Sequence, residues 1–105
     1  MKVQATKSMT RAINDYLKSK GEKMVAVYET MSREAYKIKV DFGIWGNEND
    51  YLPASGEMRA IKIVYPSEYY AMPQYLTSAA LVKIFRKTDK TFNGFMSAVL
   101  DEISI

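Results

Sequence analysis

RAIKIVYPSEYYAMPQYLTSAALVKIFRK, residues Arg59 to Lys87, carries a change of hydrophobic period that decides how the chain folds. At its start Ile61, Ile63 and Tyr65 alternate with Ala60, Lys62 and Val64, the period-two pattern of a half-buried strand. Pro66 has no N–H for a ladder, so the strand is predicted to stop there. From Thr77 the period lengthens: Thr77, Ala80, Leu81, Ile84 and Phe85 fall at i, i+3, i+4, i+7 and i+8, one face of a helix. The crossing between strand and helix holds Tyr65, Tyr69, Tyr70 and Tyr75 with Pro66 and Pro73. It is predicted to pack the sheet against the helix.

Upstream, the spacing predicts a first helix from Ser8 to Lys20, with Ser8 as N-cap and Met9, Ala12, Ile13, Tyr16 and Leu17 on one face. Lys18 and Lys20 suit the negative end of its dipole, and Gly21 can close it in the left-handed conformation. Lys23 to Thr30 reads as a strand rich in β-branched and aromatic residues. After a turn at 31–34, Ala35 to Trp45 alternates most cleanly. Tyr36, Ile38, Val40, Phe42 and Ile44 share one face, and Lys37, Lys39 and Asp41 the other. Residues 46–57 read as a loop by composition, with Trp45 partly buried at its mouth. Met58–Tyr65 then completes a three-stranded antiparallel meander in the order of the chain. The predicted core joins Tyr36, Ile38, Val40, Phe42, Ile61 and Ile63 to the apolar stripes of the first and last helices.

Downstream of the Thr77–Lys87 helix, Thr88-Asp89-Lys90 forms a short connection to a last helix beginning near Thr91. Phe92, Phe95, Met96, Val99, Leu100 and Ile103 make its apolar stripe, and Asp89 or Thr91 caps its start. The expected architecture is α+β over residues 1–105 as a single domain: an N-terminal helix, a three-stranded antiparallel sheet and two C-terminal helices.

The 105 residues suffice for one core and not two, and 48% hydrophobic with 26% charged residues is the balance of a folded chain. No apolar run approaches the roughly 20 residues of a membrane span. MKVQATKSMTR has no apolar signal core, so a cytoplasmic location is expected. The chain has neither Cys nor His. Thiol chemistry, imidazole or thiolate metal sites and His-dependent triads therefore have no residues here to carry them. No catalytic residue, metal or cofactor is expected.

The net charge of +3 is unevenly placed. Cations dominate residues 1–23, Glu48, Asp50 and Glu57 make 47–57 acidic, and Lys83, Arg86, Lys87 and Lys90 recur at i, i+3, i+4 and i+7. If the helix persists to Lys90, those four form a basic stripe able to meet phosphates. The same stripe also serves as a solvated face at a helix C-terminus.

Several constellations resemble known ones in part. The order helix, three strands, helix resembles a double-stranded RNA-binding domain, but no KKxAK-like segment opens a final helix and one helix is extra. Two helices joined by Thr88-Asp89-Lys90 resemble a helix-turn-helix, yet the second is apolar where base-reading side chains belong. A metal-dependent nuclease of the restriction-enzyme type needs a second carboxylate two positions before a strand lysine, and Ala60-Ile61-Lys62 lacks it.

Two functions follow. The first is a small non-enzymatic intracellular binding or accessory protein acting through a protein–protein interface, with a protein partner or as a homodimer. Tyr69 and Tyr70 are its candidate contacts, because consecutive side chains cannot both point inward. The alternative is a nucleic-acid-binding protein using Lys83, Arg86, Lys87 and Lys90.

Overall fold

The computed structural model describes residues 3–31, 58–66 and 73–104. Among these the elements run α1 (Lys7–Ser19), β1 (Val25–Met31), β2 (Met58–Val64), β3 (Gln74–Thr77), α2 (Ser78–Arg86) and α3 (Phe92–Ile103). The α+β class and the sequence of helix, three-stranded antiparallel sheet and two C-terminal helices are as the sequence implies.

Helix α1 starts earlier than Ser8. Thr6 is its N-cap, extended at φ −134° and ψ 166°, and Thr6 Oγ1 accepts from the Met9 amide at 3.0 Å. That bond satisfies one of the amides left over at a helix start. At the other end the Glu22 amide donates to Leu17 O at 2.9 Å and the Gly21 amide to Lys18 O at 3.1 Å. With Gly21 at φ +71°, this is a Schellman closure. Met9, Ile13 and Leu17 are buried, while Ala12 and Tyr16 flank the core.

The strand order is β1-β2-β3, antiparallel throughout. Ile61 and Ile63 are fully buried and Tyr65 nearly so, as the alternation predicts. Ala60 breaks it, being fully buried on the opposite face. The pairing differs from a meander taken in the order of the predicted strands. Val25–Met31 pairs directly with Met58–Val64, from Val25 opposite Val64 to Met31 opposite Met58. The third strand is Gln74–Thr77, inside the stretch read as a crossing and a helix start. Its Tyr75, Leu76 and Thr77 are all buried, so it shows no inward–outward alternation. Thr77 is both the last strand residue and the N-cap of α2, accepting from the Ala80 amide at 3.1 Å. The strand passes into the helix without a linker. The readings made for Ala35–Trp45, including Tyr36, Ile38, Val40, Phe42 and Trp45, and for the 46–57 loop lie outside the described residues.

Helix α2 buries Ala80, Leu81 and Ile84. Helix α3 buries Phe95, Met96, Val99 and Ile103, and Phe85 meets Phe95 edge to face at 5.5 Å between ring centres. Phe92 does not join the stripe: it stands at the first turn of α3, half exposed. These faces close on α1 and the inner sheet face to form one core. The Ala5 amide donates to Ser78 Oγ at 2.9 Å, tying the approach to α1 onto the start of α2.

Candidate protein interface

The connection between α2 and α3 is built from four polar side chains. Helix α2 ends at Arg86, with Lys87 as C-cap. Its last carbonyls lie beyond the reach of the helix's own amides, and Thr88 and Lys90 donate to them from outside; the Thr88 amide reaches Phe85 O at 3.1 Å and the Thr88 hydroxyl at 2.7 Å. Lys90 Nζ donates to Phe85 O at 3.0 Å, Arg86 O at 2.8 Å and Thr88 O at 3.3 Å, and lies 5.2 Å from the centre of the Phe85 ring. A cation there also opposes the negative end of the α2 dipole. To make the turn, Lys90 adopts φ 68°, a left-handed conformation that costs a side-chain-bearing residue about 1–2 kcal/mol.

Asp89 and Thr91 then start α3. Asp89 Oδ1 accepts from the Thr91 amide at 3.1 Å and from Thr91 Oγ1 at 2.7 Å, and Thr91 Oγ1 accepts from the Gly94 amide at 3.0 Å. The Thr91 hydroxyl, followed by its amide, holds the Asp89 carboxyl below the usual carboxylate range. A β-carbon at Gly94 would collide with Asp89 Oδ1, so this capping geometry requires glycine.

The basic stripe predicted from spacing is therefore interrupted. Lys83 and Arg86 belong to α2, Lys87 caps it, and Lys90 lies beyond it in a different backbone conformation. All four residues are exposed, but the Lys90 ammonium is committed to backbone carbonyls. Tyr69 and Tyr70 lie outside the described residues. Tyr65 and Tyr75 sit at the core boundary with their rings buried, each 9% exposed, and the Tyr65 hydroxyl donates to Ile103 O.

The capped start of α3 faces the C-terminal half of α1 across an open groove of about 830 Å³. Asp15, Tyr16 and Lys20 line one wall; Asp89, Phe92 and Asn93 line the other. Lys20 Nζ lies 5.4 Å from the centre of the Tyr16 ring. Among the described aromatic residues Phe92 alone is exposed, at 50%, and it lines this groove. Sequence reading missed it because its spacing to Phe95 and Met96 is that of a core position. The signal that separates them is its place immediately after the N-cap, where a side chain has no preceding turn to cover it.

A second apolar surface lies on the outer sheet face. Val25, Val27 and Val64 are 50%, 41% and 37% exposed. Lys62 Nζ and Glu29 Oε1 cross that face 3.9 Å apart, while Glu29 Oε2 is buried with no hydrogen-bond partner among the described residues.

Among the described residues no group of three acidic side chains is placed to hold a metal, and no helix is long and apolar enough to cross a membrane. No family model, curated protein or solved structure matches the chain.

Proposed function

We propose that this is a small non-enzymatic intracellular binding or accessory protein that acts through a protein–protein interface, centred on the groove between α1 and the start of α3. The observation that carries the reading is Phe92, an aromatic side chain left half in water at the rim of a groove with polar and charged walls. An aromatic anchor inside a polar surround is the composition of interface hot spots. The missing imidazole and thiol groups support a binding role over a catalytic one.

The alternative, phosphate contact by Lys83, Arg86 and Lys87, draws on their exposure. Lys90 joins them only by giving up its carbonyl partners.

The discriminating experiment compares Phe92→Ala with the double variant Lys83→Glu/Lys87→Glu, in affinity purification and in titration with generic duplex DNA and RNA at low salt. The interface reading expects a partner that is retained by the double variant and lost with Phe92→Ala, and no duplex binding in the range of about 10⁻⁴–10⁻⁶ M typical of non-specific binders. Duplex binding that weakens steeply with salt and disappears in the double variant would establish the alternative instead.

A further inference from the structure

Asn14, on α1, presents its carboxamide to the backbone of Ala26 in β1. Its Nδ2 donates to the Ala26 carbonyl at 2.8 Å, and its Oδ1 accepts from the Ala26 amide at 2.7 Å. A residue of an adjacent antiparallel strand would make the same pair of bonds. The register shows which edge they occupy. Ala26 stands opposite Ile63 across the β1–β2 ladder, yet both of its backbone groups go to Asn14. They therefore point away from β2, to the outer edge of β1.

We propose that Asn14 seals this edge against strand addition by a second copy of the chain. Among the described strands β1 is terminal in the sheet order. Its sequence, VAVYETM, contains neither the lysine nor the proline with which edge strands usually discourage pairing. Val25 and Val27 are exposed beside Ala26, so the segment combines high β propensity with accessible apolar surface. Protection has to come from elsewhere, and α1 provides it. A carboxamide is the side chain that donates and accepts in one plane, which is what one backbone position of a strand offers. A second β1 is the occupant that fits, because antiparallel pairing of two identical edges is satisfied by a twofold axis.

The test compares the wild type with Asn14→Ala and Asn14→Asp by sedimentation velocity over a rising concentration series. Asn14→Ala opens the edge. Asn14→Asp keeps an acceptor for the Ala26 amide, loses the donor, and leaves a charge on the edge. Both should melt below the wild type. Asn14→Ala is expected to shift to a dimer or larger species at concentrations where the wild type does not shift, and Asn14→Asp is expected to sediment as the wild type does. A folded Asn14→Ala that sediments like the wild type overturns the proposal. So does association of Asn14→Asp to the same extent, because lost stability, not an open edge, would then be the cause. If Asn14→Ala does not fold, amide exchange in the wild type decides. Exchange at Ala26 as slow as at Ile61 supports a sealed edge, and exchange as fast as that of an unprotected amide rules it out.

Discussion

The Tyr65 hydroxyl lies 2.7 Å from the carbonyl oxygen of Ile103 and 2.9 Å from Gln74 Oε1, but it has one proton to give. A carbonyl can only accept, so the proton belongs to Ile103. The Gln74 carboxamide, turned about its last bond, then presents its NH2 to the phenol oxygen. Arranged this way, one side chain joins the end of β2, the start of β3 and the last turn of α3. It also satisfies a carbonyl that α3 cannot satisfy itself.

Tyr65→Phe should therefore cost about 1–3 kcal/mol, the penalty for leaving a buried acceptor without its donor. The pH dependence has a definite sign. Burial raises the Tyr65 pKa above 10.0, so the folded state holds the proton more tightly than the unfolded state. The resulting stability is present below the ordinary tyrosine pKa and is lost as pH rises through the folded value. Urea unfolding at neutral and alkaline pH should show a steeper alkaline loss in the wild type than in Tyr65→Phe. Parallel profiles would mean that another tyrosine dominates.

Phe95 is fully buried with its ring against Phe85. Truncation to Ala should destabilise the fold by about 3–5 kcal/mol. An unchanged denaturant midpoint would contradict the orientation of α3.

These two residues also show what the sequence made legible. Phe95 and Ile61 follow from period alone, since one face of a helix and one face of a strand must turn away from water. The pairing of β2 does not follow in that way. Alternation tells which side of a strand is buried but not which strand lies beside it, so it does not join Val25–Met31 to Met58–Val64. Gln74–Thr77 was hidden for a different reason. It is buried on both faces and so shows no alternation, and Thr77, which also caps a helix, fits the helical count that follows. In the basic run, spacing gave the positions of Lys83, Arg86, Lys87 and Lys90 but not the end of α2 at Arg86. Lys90 turns onto the carbonyls that end α2, the negative end of its dipole, which a stripe drawn on a helical wheel does not represent.

Lys90 tests that explanation. Lys90→Ala removes the ammonium and keeps a β-carbon in the left-handed region, whereas Lys90→Gly removes the ammonium and relieves the backbone. The glycine variant should be more stable than the alanine variant by about 1 kcal/mol. Thermal or urea unfolding of the pair measures the difference. Equal stabilities would mean the turn relaxes out of φ 68° once the side chain is lost.

At the start of α3, the sign runs the other way from Tyr65. The Asp89 carboxyl is held below its ordinary value of 3.8, so the folded state favours the carboxylate. Its contribution is present above the unfolded value and is lost as pH falls through the folded one. Between mildly acidic pH and the region below 3.8, the wild type should lose more stability than Asp89→Asn, because the variant has no charge to lose. Equal acid slopes would show that the capping carboxylate contributes nothing to acid lability.

Phe92 separates a role in binding from a role in folding. A core phenylalanine replaced by Glu would unfold a domain of this size, but Phe92 is half exposed at the first position of α3. An anion in a helix's first turn faces the positive end of the dipole, which contributes about 0.3–1 kcal/mol at an exposed site. Against this stands the loss of whatever contact the ring makes with the groove wall. Phe92→Glu should consequently unfold at a denaturant concentration close to that of the wild type, within about 1 kcal/mol in either direction. Binding should respond quite differently. Removing an aromatic anchor at a hot spot costs about 2 kcal/mol or more, roughly thirtyfold in affinity. Unfolding curves and partner affinity measured on the same preparation make the comparison direct. A variant with intact stability and weakened binding assigns Phe92 to the interface, while a large loss of stability assigns it to the fold and removes the groove's anchor.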